Sequence, residues 1–120
     1  MNRWWSDALE GFSNQLAQRY GHPIYLVGSA IEEGANARDV DLVCIIPHRE
    51  YTARFGPIPN RLKPYTPEQS RIAAELGKMS SQGSELTGLH LDLKIQSDAE
   101  ANNHLGRPRV RLDTLPFETP

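Results

Sequence analysis

Two short apolar runs, each joined to a polar signal at one end, most restrict what this chain can fold into. Ile24-Tyr25-Leu26-Val27 runs directly into Gly28-Ser29, and Leu42-Val43-Cys44-Ile45-Ile46 is preceded by Asp39-Val40-Asp41. Runs of four to eight apolar residues bounded by turn-forming residues fit buried strands better than helices. On a strand, alternate residues share a face. Residues 39–46 therefore turn Asp39, Asp41, Val43 and Ile45 one way and Val40, Leu42, Cys44 and Ile46 the other. A sheet with one apolar face, and a face bearing carboxylates beside a Gly-Ser turn, follows.

The remaining elements fit around those strands. Trp5, Leu9, Phe12, Leu16 and Tyr20 recur at three- and four-residue intervals with Asp7, Glu10, Asn14 and Gln18 between them, which predicts an amphipathic helix stopped by Gly21 and Pro23. Ala30–Glu33 has room for one helical turn, closed by Gly34. Thr66-Pro67-Glu68-Gln69 carries the cap, proline and glutamine of a helix start, and Ile72, Ala73, Leu76 and Met79 supply its apolar stripe. Ser80 to Gly88 reads as loop. Leu89 to Gln96 alternates, with Leu89, Leu91, Leu93 and Ile95 on one side and His90, Asp92, Lys94 and Gln96 on the other, as in a half-buried strand.

Residues 47–67 break the pattern: five prolines punctuate Arg49, Arg54, Arg61 and Lys63, predicting a long, locally basic loop, functional or mobile. Asp98 opens a short helix through Leu105, and Arg107, Arg109 and Arg111 alternate with Pro108, Val110 and Leu112 as an extended edge protected by charge, leading into a tail over 107–120. The expectation is one α/β domain over 1–120, with a core at about 5–96. Its small mixed sheet carries helices packed on one face and the polar site on the other.

Composition bounds function loosely. A 120-residue chain is long enough for one modest core, and a net charge of -2 gives no bulk reason to expect nucleic-acid binding. The single cysteine, Cys44, lies in an apolar strand and reads as a small core residue. No run approaches a membrane span, and Met1-Asn2-Arg3-Trp4-Trp5 leads into an acidic amphipathic stretch rather than a signal peptide, so a soluble cytoplasmic protein is expected.

The polar face carries the chemistry. Phosphoryl and nucleotidyl transfer depend mainly on positioning and on neutralising charge around phosphorus, which divalent ions held by carboxylates do well. Mg²⁺ prefers carboxylate oxygens and retains waters, so two or three aspartates plus substrate phosphates suffice. Asp39 and Asp41 share a face, Asp92 lies on the polar side of a neighbouring strand, and Ser29 opens a helical turn with a hydroxyl and backbone N–H groups.

With those residues in place, the chain resembles the DNA polymerase β-like nucleotidyltransferase superfamily, in its small stand-alone or minimal form. The pattern stands as Leu26-Val27-Gly28-Ser29, then Asp39-Val40-Asp41-Leu42, then Leu91-Asp92-Leu93, within residues 5 to 96. The resemblance implies transfer of a nucleoside monophosphate from a nucleoside triphosphate, ATP by default, to an acceptor hydroxyl, with release of pyrophosphate. It further implies that Asp39, Asp41 and Asp92 hold two Mg²⁺ ions, with Mn²⁺ as a substitute. Asp92 would also help deprotonate the acceptor, and Gly28 and Ser29 would hold the triphosphate. Lys94 either meets the phosphates or pairs with a carboxylate, and His90 either serves the site or is a surface group.

Three departures accompany the resemblance, one of them the long basic Pro-rich segment 47–67, which is not part of the core pattern. Many small members carry arginine or tyrosine just after the Gly-Ser, where this chain has Ala30-Ile31-Glu32-Glu33-Gly34, and the segment after the third aspartate is short. The acceptor is left open between a small molecule, a protein hydroxyl and an RNA end. The alternative to an enzyme is a non-catalytic or antitoxin-like interaction module that binds a helical protein partner. His22, His48 and His104 show no ligand spacing, and Arg54, Arg61 and Lys63 read first as solvated loop residues.

Overall fold

The computed structural model describes residues 4–102 and 108–117. His104, the helix end expected at Leu105, Arg107 and residues 118–120 lie outside them. The elements are α1 (Asp7–Tyr20), β1 (Ile24–Val27), α2 (Ala30–Glu33), a 3₁₀ turn (Gly34–Asn36), β2 (Val40–Ile46), α3 (His48–Phe55), α4 (Pro67–Thr87), β3 (Leu91–Ser97), α5 (Asp98–Asn102) and β4 (Arg109–Arg111).

The expected α/β architecture is present: a four-stranded mixed sheet of order β3-β2-β1-β4 with helices packed against it. β1 runs antiparallel to both β2 and β4, and β2 runs parallel to β3. A parallel pair requires a crossover, which the long segment carrying α3 and α4 supplies. Leu9, Phe12, Leu16 and Tyr20 of α1 and Leu76 of α4 bury the apolar side of the sheet: Ile24 and Leu26, Val40, Leu42, Cys44 and Ile46, and Leu91 and Leu93. The alternation read from residues 39–46 and 89–96 thus sorts core from polar face as expected. Cys44 is fully buried, and burial pushes its thiol up to about 12, leaving a neutral core residue.

Helix ends follow the sequence signals where caps are strong. Ser6 accepts from the Leu9 N–H at 3.3 Å, and Gly21 donates to the Ala17 carbonyl. Thr66 and Gln69 form a complete capping box, with Gln69 N–H to Thr66 Oγ1 at 3.1 Å and Thr66 N–H to Gln69 Oε1 at 2.8 Å.

Two expectations are corrected. Residues 47–67 are not one irregular loop, because His48–Phe55 form α3. Its prolines lie at the flanks, and Tyr51 and Phe55, four apart, bury against the core with ring centroids 5.2 Å from each other. The remaining connection is pinned: Thr66 Oγ1 donates to the Phe55 carbonyl at 2.6 Å, and Gln69 Nε2 to that of Pro57 at 2.7 Å.

Ser80–Gly88 is not a loop either; α4 continues to Thr87. Serine and glycine there answer to the edge of β3. Ser80 and Ser84 hydroxyls donate back to the Leu76 and Ser80 carbonyls and accept from the Leu93 and Leu91 N–H groups at 3.0 and 2.9 Å. Thr87 does the same between the Gly83 carbonyl and the Leu89 N–H, the latter at 3.2 Å. Three helical hydroxyls take the place of a fifth strand. Among the described residues no helix is long and apolar enough to cross a membrane.

The close approach of α4 to β3 has a specific cost at Gly83. A Cβ there would stand 2.4 Å from Phe12 Cε2 and 2.8 Å from Leu91 Cδ1, both buried, whereas a Cβ at Gly77 meets nothing within 4 Å. Alanine gains up to about 1 kcal/mol of helix propensity over glycine at either site, but overpacking costs about 1–3 kcal/mol. Gly77→Ala should therefore raise the urea midpoint and Gly83→Ala should lower it. Equal shifts of the same sign would show that α4 does not press on β3 as described.

Candidate functional site

The polar face is organised by strand register. Across the sheet, Arg109 of β4 opposes Val27 of β1, Val27 opposes Asp41 of β2, and Asp41 opposes Asp92 of β3. Adjacent strands are about 4.8 Å apart, so the two aspartates are direct neighbours on one face. Asp39 lies just before β2, and the Val40 N–H donates to the His90 carbonyl at 2.9 Å, extending the β2–β3 ladder by one step. Gly28 follows β1 directly. Its φ of +78° is a left-handed conformation that disfavours side chains. A Cβ would also stand 3.0 Å from Asp41 Oδ2, so a side chain there would push on that carboxylate.

The electrostatics match this crowding. Partial burial, the charge of Asp92 and, more weakly, that of Asp39 push the Asp41 carboxyl above its ordinary value, with Lys94 opposing them. Lys94 Nζ lies 3.7 Å from Asp92 Oδ2. This is the carboxylate-pairing alternative for Lys94. His90 Nδ1 lies 2.6 Å from Asp39 Oδ1, so His90 attaches to the site through Asp39 rather than standing free.

Asp39 and Asp92 side chains are each 50% exposed, open to solvent and to a ligand. Ser29 is exposed at the start of α2, and its hydroxyl makes no cap bond. Among the described residues no three His, Cys, Asp or Glu side chains are gathered into a ready cation cage. Asp41 and Asp92 stand as a pair, with Asp39 turned to His90. A divalent cation beside the pair would offset the negative charge that Asp92 and Asp39 place on Asp41.

Beside Asp92 the sheet edge opens into a groove of about 460 Å³ between β3, α3 and α4, lined among others by Phe55, Ile58, Tyr65 and Lys94. Leu62 and Tyr65, on the connection bordering it, are 91% and 70% exposed.

Sequence reasoning missed the far side of the face. The alternating arginines locate a strand, and β4 is indeed at the sheet edge. Nothing local says that it pairs with β1, which brings Arg109 into the row of the aspartates. Its guanidinium carbon lies 5.2 Å from the Tyr25 ring centroid. Arg111 is occupied otherwise, with a two-bond pairing to buried Asp113 and a bond to the Leu115 carbonyl at 2.6 Å. His22, given no role, binds Glu50 at 2.6 Å, and Glu50 also takes Arg54 at 3.1 Å. Burial alone would raise Glu50, but these bonds outweigh it and hold its carboxyl below the usual range. That cluster ties α3 to the start of β1 and stands apart from the aspartates.

The chain matches no protein-family model, no curated protein and no solved structure.

The carboxylate pair predicts a pH-dependent gain on neutralisation. Asp41 binds its proton more tightly folded than unfolded, so its ionisation works against folding. That penalty is absent below the unfolded value near 3.8 and complete above the raised folded value. Asp41→Asn should therefore stabilise the metal-free protein at pH 7. The gain should shrink as pH falls through the carboxylate range, and it should be smaller in an Asp92→Asn background. Urea denaturation of the four proteins at pH 7 and pH 4 measures it; a gain independent of Asp92 would contradict the coupling.

Proposed function

We propose that this chain is a Mg²⁺-dependent nucleotidyltransferase of the DNA polymerase β-like kind, acting in the cytoplasm on a nucleoside triphosphate and an acceptor hydroxyl. The observation that carries the proposal is the in-register pairing of Asp41 with Asp92 on the open face, with Gly28 pressed against the Asp41 carboxylate. A structural carboxylate would have an arginine or backbone donors around it, as Asp113 does. Asp41 is instead surrounded by other carboxylates and opposed only by Lys94.

In this mechanism Asp39, Asp41 and Asp92 would hold the metal. Bound Mg²⁺ supplies neutralisation of the charge on the phosphates and on the departing pyrophosphate. Gly28 and Ser29 receive the triphosphate, and Lys94 adds a positive charge beside Asp92. Asp92 takes the proton of the acceptor hydroxyl, and the acceptor oxygen forms a bond to the α-phosphorus as the bond from that phosphorus to pyrophosphate breaks. His90 orients Asp39 through the contact between Nδ1 and Oδ1. The groove bordering Asp92 gives the acceptor a place to dock, with aromatic walls at Phe55 and Tyr65.

A second function, a non-catalytic module that binds a helical protein, draws on the exposed Leu62 and Tyr65 at that groove. The two separate cleanly. Incubation with labelled ATP, Mg²⁺ and candidate acceptors should yield pyrophosphate and a labelled acceptor. Several kcal/mol of metal-borne charge stabilisation correspond to a rate loss of about 10³-fold or more, and Asp39→Ala combined with Asp41→Ala should show it. Transfer that survives the double substitution contradicts the metal assignment. Failure of the unaltered chain to bind ATP with Mg²⁺ favours the partner-binding module.

A further inference from the structure

The open face holds three cations from its own strands, and two of them are committed. Lys94 is beside Asp92, and Arg111 is bound to Asp113 and the Leu115 carbonyl. Arg109 makes no ion pair among the described residues; it is exposed, with its guanidinium over the Tyr25 ring. Tyr25 and Arg109 reach the face from β1 and β4, on the side of Gly28 away from Asp92.

A bound triphosphate would meet negative charge beside the Gly28-Ser29 turn. Glu32 and Glu33, directly after the Gly-Ser turn, are acidic and exposed, and the face itself presents Asp39, Asp41 and Asp92. A cation on the β4 side of the turn would offset that charge from a direction that Lys94, beside Asp92, does not cover. The guanidinium fork suits phosphate oxygens, and an aromatic ring beneath it limits its freedom before the ligand arrives. The backbones of Arg109 and Asp41 are separated by the width of two strand spacings, roughly 10 Å. A guanidinium side chain and a row of phosphates fill such a gap.

We propose that Arg109, steadied by Tyr25, is a polyphosphate-binding residue of this site, taking the β- and γ-phosphates of the nucleotide. The proposal rests on the nucleotidyltransferase function above and adds to it a residue supplied from the last strand. Arg109 assists positioning and leaving-group charge; the carboxylates remain the metal-holding groups. It follows that β4 is part of the site, and that the row Arg109–Val27–Asp41–Asp92 runs from phosphate tail to acceptor.

The test is calorimetry on the full chain with Mg²⁺ and three probes: a non-hydrolysable ATP analogue, inorganic tripolyphosphate and AMP. Arg109→Gln should weaken the analogue and tripolyphosphate about tenfold, the affinity change expected for a lost charge-assisted contact, and leave AMP little changed. Arg109→Lys should recover part of the loss, and Tyr25→Leu should show a smaller loss of the same selectivity. Lys78→Gln, an exposed cation on α4, serves as the charge-matched control and should change nothing. Equal affinities for Arg109→Gln and Lys78→Gln, with the unaltered chain binding the analogue, overturn the role of Arg109 and leave the nucleotidyltransferase function standing. A loss that is the same for AMP as for the analogue overturns the contact to the outer phosphates. No binding of the analogue by the unaltered chain overturns both.

Discussion

The in-register parallel pairing of β2 with β3 is the constraint on which the site depends. It sets Asp41 beside Asp92, two like charges on adjacent strands, where a slip of one residue would turn one of them into the core. Like charges placed directly across a ladder cost stability; at Asp41 partial burial comes first and the charge of Asp92 adds to it, and both raise its proton affinity. Sheets seldom keep such a pair unless something else benefits. A cation placed between the carboxylates removes the repulsion, and the proposed metal-dependent chemistry gives the pair its use.

The register is enforced from both sides of β3. On one side, seven consecutive Cα pairings join it to β2, from Val40↔Leu91 to Ile46↔Ser97. On the other, the hydroxyls of Ser80, Ser84 and Thr87 meet every second N–H group at its start. Gly83 lets α4 come close enough for those bonds to form, because any side chain there would meet Phe12 and Leu91. An edge strand finished by helical hydroxyls is also denied to a pairing partner over that stretch. The groove overlaps the last of these contacts, at Ser80 and Leu93, and continues along β3 to Ile95 and Gln96.

Much of this was legible in the sequence, and what was not has a common cause. Alternation gave the buried and polar sides of β2 and β3, because a period of two survives whatever packs around it. The Thr66–Gln69 box gave the start of α4, because its bonds are local. The end of α4 is not legible locally, since serine and glycine usually mark a loop, and here they serve a contact with a strand seven to thirteen residues away along the chain. α3 was hidden by the prolines at its borders. For the candidate site, the alternation of residues 39–46 and 89–96 identifies Asp41 and Asp92, which the ladder pairs directly. The bond of His90 to Asp39 and the entry of Arg109 into the row depend on pairings across 51 residues and across the sheet, which no local pattern carries.

The central claim is that the carboxylates on this face hold a divalent cation, and paramagnetic broadening tests it most directly. Substoichiometric Mn²⁺ added with an ATP analogue to the ¹⁵N-labelled protein should broaden the amide signals of Gly28, Ser29, Asp41 and Asp92 first. The Asp39→Ala, Asp41→Ala protein should lose that pattern. Broadening centred elsewhere, such as at the Glu50 and His22 cluster, or none at any Mn²⁺ concentration that saturates the analogue, would contradict a metal site between β2 and β3.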